Sequence, residues 1–353
     1  MNRRPNYDNP TECRIRNKTL SVSLYTIPDN EIQAAAALLR AGETVAFPTE
    51  TVYGLGADAT NPRAVRKIFE IKGRPIYHPL IVHIAAASQL PVWTQKIPDA
   101  AWRLATAFWP GPLTLILQRS SQVPNEVTGG QDTVGLRVPD HPIATALLRA
   151  FGGGIAAPSA NRFGQVSPTT AQHVHDKLGS KVSMLLDGGP CRIGVESTIV
   201  SLTDEEAVLL RPGGLSIEAI EDTLNKKILL AQAAAPKVRV SGMLDSHYAP
   251  TTPIEIHPTE KLWHRAHQLA KLGYKVAVLK LSDDNKCINS DEIKIFQMPL
   301  LANEYGRNFY ATLHHIDHAN FDRLLAEAPP TTHEWVALHD RMRRAAHSGA
   351  LLK

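Results

Sequence analysis

The sequence predicts an α/β protein in two unequal parts, on three observations. Apolar, β-rich runs alternate with stretches of helical periodicity, as expected when sheets and helices pack in layers. Several consecutive runs have no helical crossover between them, which makes the first sheet mixed rather than purely parallel. From about Lys226 to Pro253 the alternation lapses and then resumes on a smaller scale, dividing the 353 residues into a larger and a smaller unit.

Taken in order, Asp29 or Asn30 is placed to cap a helix through EIQAAAALLRAG, Gly42 lies just past its end, and ETVAF reads as a strand. NPRAVRKIFEIKG is helical, PLIVHI a strand, DAAWRLATAFWPG a helix, LTLILQ and TVGLRVP strands, and HPIATALLRAFG a helix. GIAAPSAN runs from strand into loop, TTAQHVHDKLG is helical, and SMLLDGG, STIVSL and AVLLRPG are short strands. The stretch after Lys226 is too irregular for a core element and too apolar for a flexible tether, so it reads as an ordered linker. Beyond it come the strand IEIH, a helix capped by Thr259, the strands KVAVLKL and IKIFQMP, and helices from Asn303 to the end.

Composition bounds the function. Hydrophobic residues at 43% and charged residues at 20% are typical of soluble globular chains. Cys13, Cys191 and Cys287 are far apart and odd in number, so no disulfide framework or paired metal knuckle is available, and a reducing cytoplasm is expected. No apolar run approaches the roughly 18 residues of a membrane span, and the basic N-terminus lacks the apolar core of a signal peptide. A formal charge of +4 is mild for this length and does not by itself argue for nucleic acid.

The chemistry starts at AFPTETVYGLG, residues 46–56, where several hydrogen-bonding side chains sit on glycine-rich backbone after an apolar run. That composition suits a ligand cradle. GLGADA formally matches the dinucleotide fingerprint, but the acidic ribose ligand due about 20 residues on is replaced by the basic KGRP region. The sequence contains no P-loop, G-x-S-x-G or H-E-x-x-H motif. IKGRPIYHPLIVH puts Lys72 and Arg74 on a turn made by Gly73 and Pro75, with His78 and His83 following; these cations suit phosphate, or simply a helix C-terminus. Arg137 lies in the otherwise apolar TVGLRVP, which is costly unless it meets an anion, either a ligand carboxylate or a structural acid. APSANRFGQVSPT carries Ser159, Asn161, Ser167 and Thr169, hydroxyl-rich like the opening stretch or else two helix caps. GVESTIV and LLRPGG add Ser197, Thr198 and Arg211 beside paired glycines, whose backbone N–H groups suit an anion. The set describes a site for a polyphosphate and a small zwitterion. Cys191 has basic neighbours but no step that needs it, and His314 and His318, one helical turn apart, read as a solvated face rather than metal ligands.

In this order the motifs resemble the YrdC-like domain of threonylcarbamoyl-AMP synthases, and SGMLDSHYAP with the trailing unit is similar to the two-domain members of that family. The resemblance runs from about residue 30 to the C-terminus. It implies an α/β (α+β) architecture: an N-terminal extension over 1–24, a YrdC-like twisted mixed sheet with flanking helices over 25–225, a linker or lid over 226–253, and a smaller Rossmann-like domain over 254–353.

The reaction implied is nucleotidyl transfer, in which L-threonine, bicarbonate and ATP give threonylcarbamoyl-AMP and pyrophosphate. Its product feeds the tRNA threonylcarbamoyl-transfer proteins that modify the adenosine beside the anticodon. Matched residue by residue, the threonine-binding positions are Thr51, His83, Arg137, Ala157 and Ser197. The ATP-binding positions are Arg74, His78, Thr133, Ser159, Ser167, Arg211 and Tyr248. Lys72 and Arg74 would neutralise carbamate and phosphate charge, and Arg137 would hold the threonine carboxylate. Magnesium is expected on the phosphates, held with few dedicated protein ligands, and no metal-ligating residue is assigned. His78 stands where the family commonly has asparagine, which suggests nucleotide affinity that varies with pH near neutrality. A non-catalytic RNA-binding maturation factor with the same fold is the alternative, although aromatics at 6% give it little to stack bases on. A carbamoyl-transfer module would bring zinc-finger and acylphosphatase-like segments absent from this chain. Direct tRNA contact and oligomeric state are not legible in the sequence.

Overall fold

The computed structural model describes residues 27–231, 238–243, 247–282 and 291–347. The expected N-terminal extension and parts of the expected linker lie outside the described residues. Ten strands form the first sheet: β1 Val45–Phe47, β2 Gly54–Asp58, β3 Ile81–His83, β4 Leu113–Gln118, β5 Thr133–Arg137, β6 Ile155–Ala156, β7 Met184–Leu185, β8 Thr198–Ser201, β9 Val208–Arg211 and β10 Leu229–Leu230. Their order is β10-β9-β8-β4-β5-β3-β6-β2-β1-β7. The sheet is mixed: β1 and β2 are antiparallel, as are β4 and β5, whereas β3 and β5, like β4 and β8, are parallel.

The second sheet, β11 Ile254–His257, β12 Val276–Lys280, β13 Ile293–Gln297 and β14 Arg323–Glu327, has the order β11-β14-β12-β13 and is parallel throughout. Helix Thr259–Lys271 connects β11 to β12, and helix Ala302–His318 connects β13 to β14. This is a Rossmann-like arrangement.

Three local expectations need correcting. β14 replaces part of the all-helical ending, because RLLAE is buried between two neighbouring strands and its apolar run has no partner face to make it amphipathic. The helix Asp29–Arg40 begins after Pro28 with no side-chain cap, and Asp29 acts instead as an acid in its first turn, where it favours the dipole. Thr259 likewise caps nothing; its hydroxyl donates to Glu327 Oε1 at 2.6 Å. Elsewhere the local signals behave as expected. Asn61 accepts from the N–H groups of Arg63 and Ala64, and Gly73 ends the same helix in the left-handed region.

The two units share apolar contacts. Val52, Val166 and Val195 of the first, and Tyr248 between them, belong to the buried cluster that includes Tyr305, Phe309, Tyr310 and Leu313 of the second.

Candidate active site

A cavity of about 50 Å³ opens among the loops that follow β1 and β6, the residues just before β8, the end of β9 and the linker. Its lining includes Thr49, Thr51, Arg74, His83, Arg137, Ala157, Ser159, Ser197, Arg211 and Tyr248. The fold thus gathers most of the expected site residues from motifs far apart in the chain.

The opening stretch builds its own turn. Thr49 Oγ1 accepts from the N–H groups of Thr51 and Val52, each at 3.2 Å, and donates to the Val52 carbonyl at 2.6 Å. The first threonine therefore shapes the loop and the second presents a hydroxyl. The glycines divide similarly. Gly54 lines the cavity, but a Cβ on Gly56 would come within 2.7 Å of Ile155 and 2.8 Å of Phe47, so that position serves strand packing rather than ligand approach.

Arg137 is buried, and its anion in this structure is Glu50, 2.8 Å away and equally buried. Its Nη2 also donates to Thr51 Oγ1 at 2.9 Å and its Nε to the Gly111 carbonyl at 3.2 Å. Ser197 Oγ pairs with Thr114 Oγ1 at 2.8 Å and accepts from Arg211 Nη2 at 3.2 Å. Four buried polar atoms of lining residues have no hydrogen bond among the described residues: His83 Nδ1, Arg74 Nε, His247 Nδ1 and Tyr248 Oη. Burial first, then the Arg137 charge, lowers the His83 imidazole to about 3, so it is neutral at physiological pH.

Arg74 and Arg211 both hold the linker. Arg74 Nη2 donates to Ser241 Oγ at 2.8 Å, and Arg211 Nη1 to the Ser241 carbonyl at 2.9 Å. Tyr248 has φ near +60° and is almost fully buried. Gly242 lies against it with φ +85°, and a Cβ there would fall 2.2 Å from the Tyr248 hydroxyl. Ala249 anchors this segment by donating its N–H to the Gly164 carbonyl.

Four expected residues do not line the cavity. Lys72, expected to neutralise charge, donates its Nζ to the carbonyls of Ser159 at 2.6 Å and Asn161 at 2.5 Å, so the ammonium props the PSAN loop. Burial, then Arg74, pushes that ammonium well below the usual lysine range. His78 packs between Tyr77 and Phe163, ring centroids 4.7 Å and 5.1 Å away. Burial, then Arg74 and Arg239, lowers it to about 4, which removes the expected titration near neutrality. Thr133 begins β5, at the opposite end from Arg137, and faces a separate groove with Gln118 and Arg119. Ser167 is buried and donates to Glu196 Oε1 at 2.7 Å.

One other reading holds and one changes. Cys191 is buried and its thiol is pushed far up, first by burial and then by Glu50, so it is no nucleophile. His314 is not a solvated residue: it is buried and stacks on His173, and no group of three metal-ligating side chains exists among the described residues.

Sequence reasoning missed Glu50, Glu196, Ser241 and His247. Glu196 carried the same signal as Arg137, a charge abutting an apolar strand.

Residues 37–213 match the Sua5/YciO/YrdC family model, whose description reads telomere recombination, and residues 215–347 match a model described as the C-terminal domain of threonylcarbamoyl-AMP synthase. A threonylcarbamoyl-AMP synthase of Pyrococcus abyssi is 42% identical over 330 residues, covering 91% of this chain and 95% of its own. One of Bacillus subtilis is 44% identical over 326 residues, covering 90% and 93%. The crystal structure of P. abyssi Sua5 complexed with L-threonine superposes with a TM-score of 0.81 at 40% identity, covering 92% of this chain and 96% of that one. With both domains matched and nearly the full length of these relatives covered, the chain belongs to the threonylcarbamoyl-AMP synthase family in its two-domain form.

Proposed function

We propose that this chain is an L-threonylcarbamoyladenylate synthase, a nucleotidyltransferase that joins L-threonine, bicarbonate and ATP with release of pyrophosphate. The observation that carries the reading is the cavity itself. It combines two buried guanidinium groups, Arg74 and Arg211, with His83, Arg137 and the hydroxyls of Thr51, Ser159 and Ser197. In its neighbourhood Arg137 Nη1 is the one guanidinium nitrogen of that residue with no hydrogen bond among the described residues, and it suits one oxygen of the threonine carboxylate.

His83 Nδ1 and the hydroxyls of Thr51 and Ser197 then serve the amine and hydroxyl of threonine, with Val52, Ile81 and Ala157 beside its methyl. Arg74, Arg211, Ser159 and Tyr248 take the nucleotide. Lys72 supports that half by fixing the carbonyls of the PSAN loop. Ser167 and His78 act behind the nucleotide wall, and Thr133 drops out of this site. A carbamate is short-lived in water, so the main catalytic resource is a closed pocket that holds it against the α-phosphorus.

Ser241 occupies both phosphate-gripping guanidiniums, and the remaining 50 Å³ is too small for a nucleotide. The linker therefore lifts for ATP and closes again over it, with Tyr248 returning to the phosphates. The carboxylate that lines the cavity, Glu196, is already bound by Arg341, Tyr310 and Ser167. These residues fit a magnesium ion carried on the nucleotide phosphates rather than one held by the chain. The product would pass to the tRNA threonylcarbamoyl-transfer proteins.

Incubating the purified full-length chain with ATP, L-threonine and bicarbonate tests the reading. Pyrophosphate release that requires all three supports it. No release, with tRNA bound instead, would replace it with the RNA-binding alternative.

A further inference from the structure

Glu196 sits in the cavity wall next to Ser197, yet most of its partners come from the other unit. Arg341 Nε donates to Glu196 Oε2 at 2.7 Å, and the Tyr310 hydroxyl donates to the same carboxylate at 3.2 Å and 3.1 Å from its two oxygens. From the first unit, among the described residues, Ser167 Oγ alone adds a hydrogen bond to this carboxylate, at 2.7 Å. Arg341 is fully buried and spends its other nitrogens on Asp340 at 2.6 Å and on the Pro212 carbonyl, next to Arg211, at 3.0 Å. The same two side chains clamp the linker. The Arg341 guanidinium lies 5.0 Å over the Tyr248 ring, and the Tyr310 ring stacks on Tyr248 at 5.8 Å.

We infer that Tyr310 and Arg341 of the C-terminal unit are positioning residues for adenylation, holding the wall that carries Ser197 and Arg211 through Glu196 and holding the closed linker through the Tyr248 ring. The inference rests on the function proposed above. It gives the second unit a task that a tether could not perform: without Arg341, a buried carboxylate in the substrate wall loses its main counter-charge.

The groups facing Glu196 are Arg341 and Tyr310 from the second unit, Arg211 from β9, His247 and Tyr248 from the linker, with Asp340 behind Arg341. Burial alone pushes this carboxyl up, but Arg341, Arg211 and the hydrogen bonds outweigh it and hold it at about 2. In the wild type its stabilisation is present above the ordinary value of 4.5 and is lost as pH falls from there toward 2. In Arg341→Met the carboxyl loses its largest favourable partner, its folded value moves up, and stability relative to the wild type is lost as pH rises.

The experiment compares the wild type with Tyr310→Phe, Arg341→Met, Glu196→Gln and Arg341→Met/Glu196→Gln. Thermal unfolding is followed between about pH 5 and about pH 8, and kcat and KM for ATP and for threonine are obtained from pyrophosphate release. Measured against the wild type at each pH, Arg341→Met should melt progressively lower as pH rises, a trend that adding Glu196→Gln removes. Tyr310→Phe, which keeps the ring, should lose roughly tenfold in kcat/KM for ATP, the scale of one hydrogen bond to a charged group, with the KM for threonine little changed. Should Arg341→Met fail to fold, Tyr310→Phe and the double variant decide. Wild-type ATP kinetics in those two, or a melting difference between a folded Arg341→Met and the wild type that does not change with pH, overturns the inference. A wild type that releases no pyrophosphate overturns the function instead, while the melting series still tests the Glu196 network.

Discussion

His173 and His314 stack with ring centroids 3.9 Å apart, one ring from each unit of the protein. His173 Nδ1 accepts from the Thr169 N–H at 3.3 Å, and His314 Nε2 donates to the Ser167 carbonyl at 3.1 Å, so the pair pins the second unit to the SPT loop. Burial first, then the His314 charge at His173 and the Lys177 charge at His314, lowers the two to about 3 and about 4. Because both folded values lie below the ordinary 6.5, their contribution is complete above that value and is lost as pH falls toward 4. Acidification to about pH 5 should cost the wild type up to roughly 2 kcal/mol for each histidine, less at His173, where water still screens the ring. Thermal unfolding of His173→Phe/His314→Phe should show a distinctly shallower acid slope; an unchanged slope would show that the pair does not set it.

Arg137 needs a different variant from the obvious one. Alanine there leaves Glu50 as an unpaired buried carboxylate, which should destabilise by about 3 kcal/mol or more and confound any loss of activity. Glu50→Gln/Arg137→Met removes both charges together. It should unfold close to the wild type in urea yet show no threonine-dependent pyrophosphate release. Normal turnover in that folded variant would remove Arg137 from threonine binding.

Val52, Ile81 and Ala157 give the cavity an apolar side, while Thr51 and Ser197 give it hydroxyls. Serine keeps the substrate hydroxyl and lacks only the methyl. Its kcat/KM should therefore fall by about tenfold to a hundredfold, the range for one methyl in an apolar pocket. Equal rates at subsaturating serine and threonine would show that these apolar residues do not read the methyl.

Gly242→Ala forces a Cβ to within 2.2 Å of the Tyr248 hydroxyl and 3.0 Å of Arg211 Nη1, at a φ of +85° that alanine resists. It should unseat the linker, lowering ATP-dependent turnover at least tenfold while calorimetry still detects threonine binding. Tyr248→Ala should reproduce much of that loss. Full turnover in both would leave the linker without a gating role. Cutting the chain after about residue 225 would test the linker poorly, because it bares Glu196 and the apolar Val52, Val166 and Val195 at once.

The sequence alone determined the mixed first sheet, the smaller parallel α/β unit and most of the residues that converge on the cavity. Those signals are local: a period of two or of 3.6, a glycine past a helix end, an arginine in an apolar strand. It could not decide which partner each charge would find. Arg137 meets Glu50, Lys72 meets backbone carbonyls, and Glu196 meets a tyrosine and an arginine more than a hundred residues away. β14 was missed for the same reason, since its burial depends on strands supplied by the fold on both sides. The titration of His78 likewise depends on burial and on neighbouring guanidiniums, which exist only after the chain has packed. Local periodicity is written residue by residue, whereas charge pairing and desolvation belong to the assembled interior, and that is where the tertiary structure decided how the second unit reaches the first unit's site.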